Sequence, residues 1–286
     1  MRIVLAVDGS DQSYFAARAL EHLKQADKIT ALHILDVPPP AFPMVMPEVA
    51  NEIEKIVEQR LREEGERVLK FVSSILPPHA GSVSKRLEVG KPSEMILSVV
   101  EEEKADMIVL GARGLGPVKE LLLGSVSHRV LAHAHCPVLI VNRAVVSLSR
   151  ILLAVQGPED AAAAVKFLAS RPFKEPGEVT VLSAEPYAQP TWPAGSPNKS
   201  LSDDFFKITE RFVGDVAGRL VALGYRATPV VRTEGPGAAI LKHVETTRPD
   251  LLLMGSRGIG GVSRFLLGSV SHAVLNRAPC PVLIFR

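Results

Sequence analysis

Residues 111–127 read GARGLGPVKELLLGSVS, and residues 255–271 read GSRGIGGVSRFLLGSVS. In each stretch, two glycines separated by two residues follow a short apolar run, and a Gly-Ser pair comes after nine more residues. The similarity extends outward, because residues 105–141 and 249–285 are identical at just over half of their aligned positions. Self-similarity of this kind is typical of a duplicated unit. The sequence therefore predicts two copies of one domain.

The length and composition fit a duplication. A chain of 286 residues provides two domains of ordinary size, which we place at residues 1–146 and 147–286. A net charge of +2 creates no strong field for nucleic acid or an anionic membrane. No apolar run approaches the roughly 20 residues that span a bilayer, and the first residues do not resemble a signal peptide. We therefore expect a cytoplasmic protein without nucleic-acid or membrane partners.

Short apolar runs alternate with helical patterns in both halves. Strands that alternate with helices form parallel sheets with right-handed crossovers. The predicted fold class is therefore α/β, with two tandem doubly wound domains and a five-stranded parallel sheet in each, in the order 3-2-1-4-5. The first half has predicted strands at 3–7, 29–37, 83–89, 107–110 and 138–141, and predicted helices at 12–25, 52–76, 92–104 and 126–134. The second half has predicted strands at 151–155, 179–184, 227–232, 251–254 and 282–285.

The repeated glycine loop is predicted to bind phosphate. In doubly wound sheets, ligands bind at the carboxyl ends of the strands where the strand order reverses, which places Asp8 and Gly111 at one crevice. Glycines let a backbone approach a ligand closely, and a helix start exposes N–H groups and a partial positive charge. Gly124 and Ser125 open such a helix, and Arg113 can add a charge-assisted contact. Residues 117–123, between the glycine pairs, suit a short helix.

Other interpretations of these residues remain open. The glycines alone are also compatible with simple turns and a helix cap. The loop is not a Walker A motif, because no Gly-Lys-Ser/Thr follows, and it lacks the third glycine of a dinucleotide-binding fingerprint. A zinc site is not favoured, and no metal is predicted, because two histidines of one cluster are replaced in the second copy. The cluster consists of His128, His133, His135 and Cys136, and the replacements are Arg277 and Pro279. Cys136 and Cys280 are expected as reduced, half-buried thiols.

At this point the chain resembles the universal stress protein family in its tandem two-domain form. Nucleotide-binding members of that family carry the pattern G-x2-G-x9-G-[ST], and both glycine loops match it. The Asp-x-Ser that follows the first strand matches as well. The resemblance implies that ATP, alone or with Mg²⁺, is bound with the nucleoside near Asp8 and Ile34 and the phosphates on the loop. The expected site comprises Ala6, Asp8, Ile34, Leu110, Gly111, Arg113, Gly114, Gly124, Ser125, Val126 and Ser127, and the second-copy residues Gly255, Arg257, Gly258, Gly268, Ser269, Val270 and Ser271.

The second copy departs from the family pattern at its nucleoside end. Asp8 aligns with Gln156, and Ser10 aligns with Pro158. A neutral glutamine can still hydrogen-bond a ribose hydroxyl, so ATP binding in the second copy is left open. Where both copies bind ATP, the first is expected to bind it more tightly.

The expected function is that of an ATP-binding regulatory protein of the stress response, with no catalytic residues. The alternative is a slow ATP hydrolase or a related nucleotide-processing enzyme, which needs a general base that the sequence does not reveal. The last strands of the two copies are expected to pair antiparallel, which makes the chain an intrachain pseudo-dimer. Association of whole chains into a homo-oligomer is left open.

Overall fold

The computed structural model describes residues 1–38, 47–78, 81–114, 123–174, 177–184, 199–256 and 267–285. Contacts within the chain divide it into two units, Met1–Ala144 and Val145–Arg286. The short helix predicted at 117–123 lies almost entirely outside the described residues. Most of the proline-rich segment 38–47 and all of the proline-rich segment 186–197 also lie outside the described residues.

The first unit alternates strands and helices as predicted. Its strands are all parallel, in the order β3-β2-β1-β4-β5, which confirms the predicted order 3-2-1-4-5. Its elements are β1 (Arg2–Ala6), α1 (Asp11–Ala19), β2 (Lys28–Leu35), α2 (Pro47–Ile75), β3 (Ser82–Val89), α3 (Pro92–Glu102), β4 (Met107–Gly111), α4 (Ser125–His133) and β5 (Val138–Val141).

The second unit repeats this plan. Its parallel strands follow the order β8-β7-β6-β9-β10, which is the same topology as in the first unit. Its elements are β6 (Arg150–Ala154), α5 (Pro158–Ala169), β7 (Glu178–Ala184), α6 (Lys199–Ala222), β8 (Arg226–Arg232), α7 (Pro236–Thr247), β9 (Leu251–Gly255), α8 (Ser269–Leu275) and β10 (Val282–Phe285).

The central strands are continuous apolar runs because helices cover both faces of each sheet. Every residue of β4 and of β9 is buried. The edge strands β3 and β8 carry more polar residues and are largely exposed or half-buried. None of the helices in the described part of the chain is long and apolar enough to cross a membrane.

One predicted helix is shorter than its apolar spacing suggests. The pattern predicts a helix at 12–25, but α1 ends at Ala19 and a 3-10 turn follows at Leu20–His22. The chain is extended by Leu23, so both leucines reach the core without a further helical turn, at 3% and 1% exposure for Leu20 and Leu23. A 3-10 turn commonly tightens a helix end in this way.

Candidate functional site

The reversal of strand order in the first unit brings two chain segments together. β1 pairs with β2 on one side and with β4 on the other, and Ala6 lies opposite Leu110 in the second pairing. Asp8 follows β1 by two residues, and Gly111 ends β4. The segment around Asp8 and the glycine loop therefore start from neighbouring points at the carboxyl edge of the sheet, as predicted.

The Asp8 carboxylate is fixed by the start of α1. Gly9 has φ +88°, which turns the chain sharply after the strand. Ser10 then caps the helix, and its side-chain oxygen accepts from the Ser13 N–H at 3.2 Å. Asp8 Oδ1 accepts from the Ser10 N–H at 3.0 Å and from the Ser10 hydroxyl at 2.6 Å. These bonds give the carboxylate a defined position at the edge of the crevice.

Gly114 lies directly against that carboxylate. A Cβ atom at position 114 would be only 2.1 Å from Asp8 Oδ2, so no side chain fits there while Asp8 keeps its place. The Ser10 hydroxyl also lies 3.2 Å from the carbonyl oxygen of Arg113. The first part of the glycine loop therefore packs on the turn that carries Asp8.

Gln12 also contacts the glycine loop, although the sequence alone does not predict it as a candidate site residue. Its Oε1 accepts a hydrogen bond from the backbone N–H of Arg113 at 2.6 Å. In the described part of the chain, Gln12 Nε2 makes no hydrogen bond, so it keeps two N–H donors beside the loop. Its place in the sequence could have indicated this contact, because Gln12 is four residues beyond Asp8 and lies in the first turn of the following helix.

The first turn of α4 offers backbone donors. The N-cap residue is Gly124, and no described side chain caps the helix. An α-helix leaves its first N–H groups without partners inside the helix, which here are those of Ser125, Val126 and Ser127. These groups carry the partial positive charge of the helix start, a favourable place for an anion.

Two polar groups of the expected site residues Gly124 and Ser127 are hydrogen-bonded within the protein. The Gly124 N–H donates to the carbonyl oxygen of Ala112 at 2.7 Å. The buried Ser127 hydroxyl donates to the carbonyl oxygen of Gly111 at 2.9 Å. Both bonds hold the end of β4 against the start of α4. A contribution of Ser127 to anion binding is therefore confined to its backbone N–H.

Ala6, Leu110 and Ile34 provide the apolar side of the crevice. Ala6 and Leu110 are buried, whereas Ile34 is half-buried. Ile34 lies two residues beyond Leu32, the partner of Ala6, and therefore nearer the carboxyl edge of the sheet. Next to it, His33 Nδ1 donates to the carbonyl oxygen of Val7 at 2.8 Å and fixes the strand end before Asp8.

Tyr14 adds a neutral phenol near Asp8. Burial raises the pKa of Tyr14, and the carboxylates of Asp8 and Asp11 raise it further. The ring packs edge to face on Phe71 of α2, with ring centroids 4.8 Å apart. This contact joins α2 to the helix that carries the site.

The second unit has a cleft at the corresponding place. The start of α8 repeats the first unit, because the Gly268 N–H donates to Ser256 O at 2.8 Å and the Ser271 hydroxyl donates to Gly255 O at 2.9 Å. Arg257 and Gly258 lie outside the described residues. The cleft has a volume of about 190 Å³ and is lined by Ala154, Val155, Gln156, Asp160, Leu182, Ala184, Pro236, Ile240, Met254, Gly255, Gly268, Ser269, Val270 and Ser271.

The cysteines and histidines in the described part of the chain do not form a metal-binding cluster. Among the described residues, no three His, Cys, Asp or Glu side chains are grouped as metal ligands would be. Cys136 is half-buried as expected, but the expectation is wrong for Cys280, which is 1% exposed. Cys280 lies two residues before β10, in a stretch in which Ala278 and Val282 are buried as well.

Comparisons with known proteins agree with this architecture. A sequence model of the universal stress protein family matches residues 1–142 and again residues 148–286. Universal stress protein MJ0531 of Methanocaldococcus jannaschii is 35% identical over 144 residues, which cover 50% of this chain and 82% of that protein. Universal stress protein Rv2005c of Mycobacterium tuberculosis is 27% identical over 302 residues, which cover 99% of this chain and 96% of that protein.

A solved structure shows the same fold over the whole length. The universal stress protein from Archaeoglobus fulgidus aligns with 100% of this chain and 96% of its own, with a TM-score of 0.69 and 23% sequence identity. The family match covers both units, and each unit has the topology described above. The chain therefore belongs to the universal stress protein family and contains two copies of the family's domain.

Proposed function

We propose that this protein is an ATP-binding regulatory protein of the stress response and that its first unit holds the nucleotide at the crevice between β1 and β4. Asp8 and the apolar rim at Ile34 hold the nucleoside. The N–H groups of Ser125, Val126 and Ser127 hold the phosphates, and Arg113 and Gln12 stand beside them.

One observation carries this proposal: the carboxylate and the helix start adjoin the same glycine loop. Gly114 lies against Asp8 Oδ2, and a Cβ atom at Gly124 would be 3.8 Å from the Gly114 nitrogen. A ligand that spans a few ångströms of this loop therefore meets a hydrogen-bond acceptor at one end and several donors at the other. A nucleoside has hydroxyl donors, and its phosphates are anionic acceptors, which is the matching order.

The glycine at position 124 also fits a bound phosphate. Its φ of −74° and ψ of 158° are open to any residue, so its backbone does not require glycine. A Cβ atom there would meet Ala112 O and Arg113 Cα at 3.4 Å, which is ordinary contact. Because the fold does not need glycine at this position, close approach of a ligand is a physical reason for it.

Titration calorimetry with ATP and with AMP tests the proposal, with and without Mg²⁺. We expect ATP to bind at least about tenfold more tightly than AMP, because the outer phosphates add charge-assisted contacts to the helix start. Equal affinity for the two nucleotides, or no binding of either, would contradict the proposal. Steady-state ATP turnover near the enzyme median of about 10 s⁻¹ would favour a hydrolase instead.

A further inference from the structure

The outer strands of the two units, β3 and β8, hold equivalent places but differ at their centres. Among the described residues, β3 pairs with β2 alone and β8 pairs with β7 alone. Each of these strands therefore has an outer edge that meets no described strand. At the centre of the strand, Lys85 of β3 corresponds to Pro229 of β8.

The backbone groups of β3 point alternately to the sheet and to the outer edge. The Ser82 N–H donates to Asp27 O at 3.4 Å, and the Gly90 N–H donates to Leu35 O at 3.0 Å. The even-numbered residues of β3 therefore bond to β2, and the N–H and C=O groups of the odd-numbered residues point outward. These outward residues are Val83, Lys85, Leu87 and Val89.

The same alternation makes Pro229 an outward residue of β8. The Arg226 N–H donates to Gly177 O at 3.2 Å, so the even-numbered residues of β8 bond to β7. Pro229 thus stands where a further strand would need an N–H donor, and proline has none. The outer edge of β8 is blocked in this way, whereas β3 contains no proline and keeps every outward N–H.

The sequence of β3 complements itself in one antiparallel register. In an antiparallel pair that forms hydrogen bonds, outward residues lie opposite outward residues, so the two-fold axis passes through a residue. An axis at Lys85, Arg86 or Glu88 would place like charges opposite each other, which is unfavourable. An axis at Leu87 instead places Arg86 opposite Glu88 of the other copy. Lys85 then lies opposite Val89, which its aliphatic stem can cover.

The side chains of β3 are prepared for such a contact. Lys85 and Val89 are exposed, so a second strand can reach them. Arg86 forms an ion pair with Glu88 and donates to Glu102 of α3 at 2.7 Å. Because these bonds already restrict the Arg86 side chain, it loses little conformational freedom when a second Glu88 approaches.

We propose that the outer edge of β3 is a docking surface for a second copy of this chain, and that two chains join by antiparallel pairing of β3 about a two-fold axis at Leu87. Pro229 confines this pairing to the first unit. Both chains use the same surface, so the assembly closes at two chains. A contact between two edge strands is smaller than a standard protein interface, so we expect a weak dimer.

Sedimentation of the full-length chain tests the proposal over roughly 1 to 100 µM, the range in which weak dimers dissociate. The wild type should pass from monomer to dimer across this range. Lys85→Pro removes one outward N–H and leaves the ladder to β2 intact, as Pro229 does in β8. We expect the dissociation constant of the dimer to rise at least about tenfold in this variant.

Lys85→Ala is the matched control. It removes the same charge as Lys85→Pro but keeps the backbone N–H, so it should form the dimer at least as well as the wild type. A loss that is confined to Lys85→Pro assigns the contact to the backbone ladder of β3.

Oxidation of Leu87→Cys tests the register. Opposed residues of a hydrogen-bonded antiparallel pair have Cα atoms about 5.5 Å apart, which a disulfide can bridge. Leu87→Cys should therefore form a covalent dimer under mild oxidation. Val89→Cys should not, because its copy lies four residues further along the opposing strand. The wild type gives the background from the native cysteines, Cys136 and Cys280.

Several results would overturn the proposal. One is a wild type that stays monomeric throughout the concentration range. Another is a dimer that Lys85→Pro leaves unchanged, because association through β5 or another surface does not need that N–H. Equal weakening by Lys85→Pro and Lys85→Ala would assign the effect to the charge instead. Failure of Leu87→Cys to cross-link, or equal cross-linking of Val89→Cys, would overturn the pairing without relying on how well Lys85→Pro folds.

Discussion

At the scale of single residues, the contact between Asp8 and Gly114 is the tightest constraint on the site. The carboxylate is held on one oxygen by Ser10, and the other oxygen faces the glycine. The glycine loop and the carboxylate therefore depend on each other for their positions. A change in either should therefore alter the affinity for a ligand that contacts both.

Gly114→Ala tests this dependence. The added Cβ would be 2.1 Å from Asp8 Oδ2, so the carboxylate or the loop must move. We expect ATP affinity to fall about tenfold to a hundredfold, which is the range for losing a hydrogen bond to a charged group. Calorimetry on the variant measures the affinity, and circular dichroism checks that the fold is kept. A well-folded variant with wild-type affinity would show that Asp8 does not contact the nucleotide.

Residues differ in how far their roles follow from the sequence. Asp8 was predictable because it follows a buried strand and precedes a serine that caps the next helix. Gln12 was not, because its partner is the backbone of Arg113, 101 residues away. The engagement of the Ser127 hydroxyl by Gly111 likewise depends on how closely α4 approaches β4. Long-range contacts of this kind leave no local pattern.

At the scale of elements, the start of α4 supplies the donors on which the account depends. Proline is well tolerated at the first position of a helix, and it removes only the N–H of that residue. The preceding residue must be extended, and Gly124 already is, with ψ 158°. Ser125 can therefore be replaced without breaking the helix.

Ser125→Pro removes one proposed phosphate donor. We expect ATP affinity to fall about tenfold or more and AMP affinity to change less, because the lost donor serves the outer phosphates. The control is Ser269→Pro, the same change at the first position of α8 in the second unit, which should leave the strong ATP site intact. An identical effect of both variants would argue against the assignment of the strong site to α4.

Strands were easier to predict than helix ends. Each described strand begins and ends within about two residues of its predicted range, because a buried parallel strand is a continuous apolar run. The apolar residues of the long helix α2 are buried only in part: Leu69 and Val72 are buried, whereas Ile53 and Ile56 are 42% and 53% exposed. Apolar spacing predicts a helix, but it does not indicate which turns of that helix are buried against other elements.

At the scale of the whole molecule, duplication gives the two units one scaffold with different residues at the crevice. The shared topology and the shared bonds at the starts of α4 and α8 preserve the scaffold. The residues that differ, such as Gln12 and Asp160, stand at the crevice.

The expected pairing of the last strands remains a prediction. Within the described part of its own unit, β5 pairs with β4 alone, so this unit expressed by itself would expose the other edge of β5. Residues 1–146 expressed alone should therefore form a dimer or an aggregate, because the exposed edge of β5 can pair with a strand of another chain. Analytical ultracentrifugation measures the mass. A stable, soluble monomer would count against edge pairing.

The most direct test of the central claim is the number of strong ATP sites on the chain and their dependence on Asp8. Calorimetric titration of the wild-type protein should give one strong site per chain. Asp8→Ala should remove it, whereas Gln156→Ala should retain it with little change in affinity. Two indistinguishable ATP sites on the wild type, or an undiminished strong site in Asp8→Ala, would contradict the account.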